Sequence, residues 1–260
     1  MNWSAIGNNW VLVPRRAKGV VHFLGGAFFA AAPQVSYNRL LEKVAEAGYL
    51  VVTTPFLNSS FDHYQIAREV YTEFATAQAE LGWEGLPVFG MGHSMGCKIH
   101  LIINCQFQPQ RAGNIFIAYN NYSAKRSIPF FRELGQSLPE LAESEFSPSP
   151  DELNSLVADR YAVPHNLLIK FWDDDIDEIP VLANILRYKF ADRVKVETLP
   201  GNHLTAMGVE FNWRVGRNFS PIDALAQWLK QETYRNNEIL EKVLLSWLSR
   251  IRLLNIRTTA

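Results

Sequence analysis

Two patterns of apolar positions follow one another along the chain. Short continuous runs rich in β-branched and aromatic residues are typical of strands buried on both faces of a parallel sheet. They predict strands at residues 10–14, 19–24, 49–56, 86–91, 112–119, 165–172 and 194–199. Longer runs with apolar residues three and four apart predict helices at residues 33–47, 61–81, 94–107 and 179–190. This alternation predicts an α/β fold with a mostly parallel, doubly wound sheet.

The alternation stops between residues 120 and 164. Pro129, Pro139, Pro148 and Pro150 fall in this stretch, and its helical patterns, at residues 129–134 and 151–161, are short. We interpret residues 121–164 as a small helical cap inserted into a single domain that spans residues 1–260. A peripheral helical segment that makes no substrate contact explains the pattern equally well.

The end of the chain, residues 220–256, has a strongly helical pattern. Leu225, Trp228 and Leu229 share one helical face, and a second apolar face extends over residues 239–251. We expect a pair of C-terminal helices packed on the sheet. The alternative is that these faces form a homodimer contact or lie on a membrane surface.

Composition and charge exclude several classes of protein. The 260 residues are 48% hydrophobic, enough for one large domain, and a formal net charge of -1 provides no basic surface for nucleic acid. No stretch of about 18 uninterrupted apolar residues predicts a spanning helix, and the first residues do not resemble a secretory signal. Cys97 and Cys105 lie on one predicted helix, roughly 12 Å apart at helical rise. That distance is too long for a disulfide, so we expect a reducing compartment, with the cytoplasm as the default.

One motif predicts a nucleophile. The apolar run at residues 86–91 leads directly into G-H-S-M-G at residues 92–96, and a helical pattern follows without a break. In such a strand–turn–helix, the serine lies on a tight turn that lifts its hydroxyl above the sheet. Glycine on either side avoids collisions with the neighbouring strand and helix. Because G-x-S-x-G is short and occurs by chance, the prediction that Ser94 is a nucleophile depends on its partners.

Partners of the required types occur later in the chain. His203 lies on a Gly-containing loop after the last predicted strand, where a general base can reach over the sheet edge. Residues 173–178, D-D-D-I-D-E, follow the preceding strand, where a carboxylate that orients the imidazole is expected. Asp174 is the first choice because it lies five residues after the L-L-I run of that strand, and Asp177 is the second. Acids are also favoured at helix N-termini, which accounts for several of them.

Two backbone amides are candidates for binding an oxyanion. Gly25 and Gly26 end an early predicted strand, and the absence of side chains there lets a substrate oxygen approach the backbone. We predict that the amides of Ala27 and Met95 form the oxyanion hole. An ordinary strand-to-helix turn is the alternative explanation for the glycines.

Other polar and aromatic residues are weaker candidates for a functional role. Phe146 and residues 129–131 are candidates for lining an apolar acyl pocket within the predicted cap. Lys125 and Arg126 are better explained as solvated residues than as contacts to an anionic substrate. We interpret His63 as a surface or packing residue.

Five stretches of the sequence resemble an uncharacterised α/β-hydrolase-like family of cyanobacteria and plant plastids. They cover most of residues 19–205, and the first and third are specific to that family. They read G-V-V-H-F-L-G-G-A-F-F-A-A-A-P-Q-V-S-Y, G-H-S-M-G-C-K-I-H, A-Y-N-N-Y-S-A-K-R-S-I-P-F, N-L-L-I-K-F-W-D-D-D-I-D-E and L-P-G-N-H-L-T. The resemblance implies an α/β-hydrolase fold and a serine hydrolase, and it supplies no substrate.

The chain departs from the wider α/β-hydrolase pattern in two places. Phe171 or Trp172 replaces the usual glycine at the end of the acid-bearing strand, which leaves the position of the acid open. The segment before the first conserved strand of the pattern is short. We therefore expect the antiparallel strands that usually open this fold to be partly missing.

The leading functional hypothesis is a serine hydrolase that acts on a small-molecule ester or acyl substrate. Ser94, His203 and Asp174 would form and resolve an acyl-enzyme, with no metal or organic cofactor. An acyltransferase would use the same residues with another acceptor in place of water. A hypothesis of another class is a non-catalytic binding or assembly protein on the same fold. A third, a lyase in which Ser94 and His203 move a proton, has no residue that marks it.

Overall fold

The computed structural model describes residues 1–27, 29–57, 60–127, 145–207 and 233–259. The strands within these ranges are β1 (Ser4–Ile6), β2 (Asn9–Leu12), β3 (Val20–Leu24), β4 (Leu50–Thr53), β5 (Val88–His93), β6 (Gly113–Ile117), β7 (Asn166–Asp173) and β8 (Val194–Asn202). The α-helices are α1 (Pro33–Ser36), α2 (Asn38–Glu46), α3 (His63–Leu81), α4 (Met95–Gln106), α5 (Pro150–Arg160), α6 (Ile179–Phe190) and α7 (Thr233–Thr259). Single 3₁₀ turns occupy Phe29–Ala31, Ala191–Arg193 and Thr205–Met207.

The described strands form one sheet in the order β1-β2-β4-β3-β5-β6-β7-β8. All pairs from β4 to β8 are parallel, which confirms the predicted mostly parallel, doubly wound sheet. The expectation that the opening antiparallel strands are partly missing was wrong. Both are present, because β1 needs only three residues to pair with β2, which in turn pairs antiparallel with β4.

Apolar side chains cover both faces of the sheet. Along β6, Ile115 and Ile117 face a core that includes residues of α2 and α7, whereas Phe116 faces a core that includes residues of α3, α4 and α6. Successive residues of a strand point to opposite faces, so a sheet between two helical layers requires an unbroken apolar run. The continuous apolar runs in the sequence have this cause.

The C-terminal helix α7 belongs to the first of these cores. Its buried residues are Leu240, Leu244, Trp247, Leu248 and Ile251, which belong to the second apolar face predicted from the sequence. These side chains are therefore packed inside the protein and do not form a contact between copies. Leu225, Trp228 and Leu229, on the other predicted face, lie outside the described residues. No helix in the described part of the chain is both long enough and apolar enough to cross a membrane.

The helices begin and end close to where the sequence predicts, and local signals explain their ends. The Asp62 carboxylate accepts a hydrogen bond of 3.0 Å from the Gln65 amide and caps α3, which ends at Gly82 with a φ of 58°. Ser149 and Glu152 form a capping box at the start of α5. Within the predicted cap, α5 matches the pattern at residues 151–161, whereas the pattern at residues 129–134 lies outside the described residues.

Besides His203, four histidines are buried in the fold: His22, His63, His93 and His100. Burial lowers the pKa of each imidazole below its ordinary value of 6.5, to about 3 for His93 and His100 and well below 6.5 for His22 and His63. All four are therefore neutral in the folded protein at neutral pH.

We expect the free energy of unfolding to fall as the pH is lowered from about 6.5 towards 5. In this window the unfolded chain binds protons at the four histidines and the folded chain does not, so stability rises with pH. Each such histidine contributes a slope of about 1.4 kcal/mol per pH unit. Urea unfolding followed by circular dichroism across this range measures the slope. His63→Gln removes one of the four groups and should reduce the slope, and a wild type of constant stability across the window would contradict the prediction.

Candidate active site

Ser94 lies on a strained turn between β5 and α4. Its φ of 51° and ψ of -119° are unusual for a residue with a side chain, and its amide donates a hydrogen bond of 2.9 Å to the Ile117 carbonyl. A Cβ on Gly92 would lie 2.6 Å from the amide nitrogen of Cys97, and a Cβ on Gly96 would overlap the carbonyl oxygen of Leu24. Both flanking positions therefore require glycine, as the motif predicts.

The structure brings Ser94, His203 and Asp174 together from three separate parts of the chain. Ser94 Oγ lies 2.9 Å from His203 Nε2, and His203 Nδ1 lies 2.9 Å from Asp174 Oδ2. The His203 side chain is 9% exposed and that of Asp174 is fully buried. With its Nδ1 proton donated to the carboxylate, the imidazole presents a free Nε2 lone pair to the serine hydroxyl. This geometry permits the histidine to remove the hydroxyl proton.

Asp177, the second candidate for the acid, makes other contacts. Its Oδ2 accepts a hydrogen bond of 2.6 Å from Lys170 Nζ, and its Oδ1 accepts one of 2.6 Å from the Ile179 amide at the start of α6. Burial raises the pKa of this carboxyl, although Lys170 acts in the opposite direction. Of the two acids that the sequence leaves open, Asp174 is therefore the one that meets the histidine.

Hydrogen bonds on both sides of His203 fix the loop that carries it. The Asn202 amide donates to Thr205 Oγ1 over 2.8 Å, and the Leu204 amide donates to Asn202 Oδ1 over 3.0 Å. Gly201 has a φ of 125°, and a Cβ there would overlap Thr205 Oγ1. The glycine in the loop is thus needed for the turn that places the imidazole over Ser94.

The two amides predicted for the oxyanion hole lie beside the serine. Met95 is the first residue of α4, and amides in the first turn of a helix have no acceptor within it. The Gly26 amide donates to Tyr37 Oη over 2.9 Å, so it is already occupied, whereas Ala27 lines the same cavity as Ser94 and Met95. The role of the Ala27 and Met95 amides stays a prediction.

A cavity that is partly open to solvent lies against the serine. Phe146 lines it, as proposed from the sequence, and residues 129–131 lie outside the described residues. Of the two interpretations of His63, surface or packing, the structure agrees with packing, because the ring is buried in the cavity wall and stacks on Phe146 at 4.5 Å. The described residues that line the cavity are Ala27, His63, Ser94, Met95, Lys98, Asn120, Asn121, Tyr122, Ser127, Phe146 and Ile176.

The two basic residues near the cavity face solvent. Lys125 is exposed, and the Arg126 guanidinium lies 3.7 Å from the ring centroid of Tyr122 and 3.3 Å from a Glu178 oxygen. The Arg126 side chain is 60% exposed. This arrangement agrees with their interpretation as solvated residues.

The whole chain matches one family of proteins. A sequence profile described as "Protein of unknown function (DUF1350)" matches residues 2–250. The chain belongs to this family. The match confirms the resemblance to an uncharacterised family, and DUF1350 carries no assigned activity. No curated protein sequence is significantly similar to the chain.

Solved structures with a similar fold include esterases and lipases. A thermostable carboxyl esterase from Bacillus coagulans aligns over 96% of this chain and 98% of its own, with 15% identity and a TM-score of 0.59. Carboxyl esterase 2 from the fungus Tuber melanosporum aligns over 92% and 81%, with 16% identity and a TM-score of 0.61. A monoacylglycerol lipase from Paleococcus ferrophilus aligns over 96% and 100%, with 14% identity and a TM-score of 0.58. At these identities the likeness shows that this DUF1350 chain has the α/β-hydrolase fold.

One contact of His93 beside the site of this DUF1350 chain was not found from the sequence. His93 Nε2 donates its proton to the His203 carbonyl over 2.7 Å, and Tyr37 donates its hydroxyl proton to His93 Nδ1 over 2.8 Å. Tyr37 in turn accepts from the Gly26 amide. The buried chain links the loop after β3, the serine turn and the histidine loop. In the sequence, the only local sign of this hydrogen-bonded chain is that a histidine directly precedes Ser94.

Proposed function

We propose that the protein is a serine hydrolase that cleaves carboxylic esters of small molecules. The observation that carries the proposal is the hydrogen-bonded chain from Ser94 Oγ through the His203 imidazole to Asp174, with both distances at 2.9 Å. The strained turn that holds the serine and the buried Asp174 that meets the histidine support the same proposal, since an unused serine needs neither.

The proposed reaction proceeds through an acyl-enzyme. Ser94 Oγ attacks the ester carbonyl carbon while His203 Nε2 takes the hydroxyl proton, and Asp174 stabilises the imidazolium that forms. The amides of Ala27 and Met95 bind the oxyanion of the tetrahedral intermediate. The intermediate collapses, the C–O bond to the alcohol breaks, and the alcohol leaves with the proton from His203. Water then attacks the acyl-enzyme by the same steps and releases the acid.

The cysteines and the C-terminal helices bear on the cellular compartment and the oligomeric state. Cys97 and Cys105 are free and buried on α4, which fits the reducing cytoplasm proposed from the composition. A homodimer through the other predicted C-terminal face, that of Leu225, Trp228 and Leu229, stays a prediction. The α/β-hydrolase fold itself hosts many activities, so the proposal depends on the side chains at the site and not on the fold.

Hydrolysis of 4-nitrophenyl butyrate tests the proposed function. The wild type should release 4-nitrophenolate with saturation kinetics, and His203→Gln should lower kcat by about 10⁴-fold because the serine loses its base. His165→Gln, which changes a half-buried histidine at the start of β7, is the matched control and should retain activity. If His203→Gln kept the wild-type rate, the proposal would be wrong.

A further inference from the structure

Three side chains in the wall of the cavity beside Ser94 have buried polar atoms that no described residue satisfies. They are Lys98 Nζ, both ring nitrogens of His63, and Oδ1 of Asn121. A buried polar atom without a partner costs about 1–3 kcal/mol, and most folded proteins avoid it. Several such atoms in one cavity, next to a nucleophile, indicate that a polar ligand completes the site.

Lys98 is the most informative of the three. It lies on α4, four residues after Ser94, and both residues line the cavity. The residue is only 2% exposed, and its Nζ lies 5.2 Å from the ring centroid of Phe146, which also lines the cavity. Burial lowers the pKa of this ammonium to about 8. Lys98 therefore remains mostly protonated at neutral pH and contributes a buried positive charge.

The two carboxylates that raise the pKa of Lys98 accept hydrogen bonds from other groups. Glu145 and Glu178 both act to raise the pKa of Lys98, against the larger effect of burial. Glu145 Oε1 accepts from the amides of Ala124 and Phe146, each over 2.8 Å. Glu178 accepts from the Asn121 amide over 2.7 Å and pairs with the exposed Arg126. Among the described residues, none accepts a hydrogen bond from Lys98 Nζ.

We propose that the cavity binds a substrate that carries a carboxylate, and that Lys98 recognises this group. The inference rests on the proposed function, since it names the substrate class of the Ser94 site. One ammonium matches one negative charge, and Glu145 and Glu178 repel a dianion such as a phosphate monoester more strongly than a monoanionic carboxylate. His63, neutral in the fold, offers one donor and one acceptor, and Asn121 Oδ1 offers an acceptor to a substrate hydroxyl or amide. A purely aliphatic ester would leave all of these atoms unsatisfied.

Matched pairs of esters that differ only in charge test the proposal. The first pair is mono-4-nitrophenyl succinate and its methyl ester, with the charge on the acyl part. The second is 3-carboxyphenyl butyrate and its methyl ester, with the charge on the alcohol part. We expect wild-type kcat/KM to favour the charged member of one pair by about 10- to 100-fold, the effect of a charge-assisted hydrogen bond. The pair that shows the preference identifies the side of the ester on which the carboxylate lies.

Substitution of Lys98 tests whether this residue causes the preference for the charged ester. Lys98→Met keeps most of the length and the apolar character of the stem but removes the charge, so the ratio of charged to neutral kcat/KM should fall towards one. Lys125→Met, which removes an exposed lysine close to the cavity, should keep the wild-type ratio. A wild type with no preference in either pair overturns the inference, and so does a Lys98→Met protein that retains the wild-type ratio. The wild-type comparison tests whether the cavity prefers a carboxylate even if Lys98→Met fails to fold.

Direct binding separates this inference from the proposed hydrolase activity. Monomethyl succinate is titrated into the wild type and into Lys98→Met, and binding is followed by ligand-observed NMR. Binding to the wild type that weakens at least tenfold in the variant supports the carboxylate site even if no ester is hydrolysed. Equal binding to both proteins, or no binding together with no ester preference, overturns it.

Discussion

Ser94→Ala is expected to lower kcat for ester hydrolysis by about 10⁵-fold or more, close to the uncatalysed rate. The serine oxygen is the atom that attacks the carbonyl, and alanine leaves His203 with no hydroxyl to deprotonate. The turn should survive, because alanine keeps the Cβ and the backbone bond from residue 94 to the Ile117 carbonyl. Release of 4-nitrophenolate measures the rate, and circular dichroism shows whether the fold is intact.

A second serine in the same cavity provides the control for this variant. Ser127 lines the cavity, but its hydroxyl donates to the Ser123 carbonyl over 2.9 Å and does not contact a histidine. Ser127→Ala should therefore stay within about tenfold of the wild-type kcat. A folded Ser94→Ala protein with wild-type turnover would contradict the assignment of the nucleophile.

Asp174→Asn is expected to lower kcat by about 10³- to 10⁴-fold. The asparagine amide group can donate a hydrogen bond towards Nδ1 of His203, which favours the tautomer with its proton on Nε2. That tautomer cannot accept the proton of Ser94. The variant should bind a fluorophosphonate far more slowly for the same reason, and steady-state kinetics on 4-nitrophenyl butyrate measure the loss.

Asp177→Asn is the matched control, because it makes the same chemical change three residues away. It weakens the ion pair with Lys170 and the cap of the Ile179 amide, so we expect lower stability but a kcat within about tenfold of the wild type. Comparable losses of kcat in both variants would contradict the assignment of Asp174 as the acid.

Most of the sheet could be predicted from the sequence, because strands buried on both faces leave continuous apolar runs. The bounds predicted for α6 match the structure, since Pro180 marks its first turn and its apolar spacing is regular. β1 was missed because three residues, S-A-I, form no recognisable run. The helix predicted at residues 33–47 is interrupted at Tyr37, whose hydroxyl is held by Gly26 and His93. Contacts so distant in sequence leave no local pattern.

Some residues of the candidate site could likewise be predicted from local sequence signals, whereas others could not. Ser94 and His203 could be found because a glycine-flanked serine and a histidine after the last strand are local signals in a required order. Asp174 needed the structure to separate it from Asp177, since both lie in one acidic run after β7. The contact of His93 and the role proposed for Lys98 could not be found, because they depend on a carbonyl 110 residues away and on the lack of a partner among the described residues. The sequence shows only that Lys98 follows Ser94 by four residues.

Intact-protein mass spectrometry after treatment with a fluorophosphonate tests the central claim most directly. The probe reacts with a serine that a neighbouring base has activated, and it requires no knowledge of the substrate. We predict one probe per chain on Ser94 of the wild type, no adduct on Ser94→Ala, and strongly slowed labelling of His203→Gln. A folded wild type that stays unlabelled, or labelling that persists in Ser94→Ala, would contradict the claim that Ser94 and His203 form a working catalytic pair.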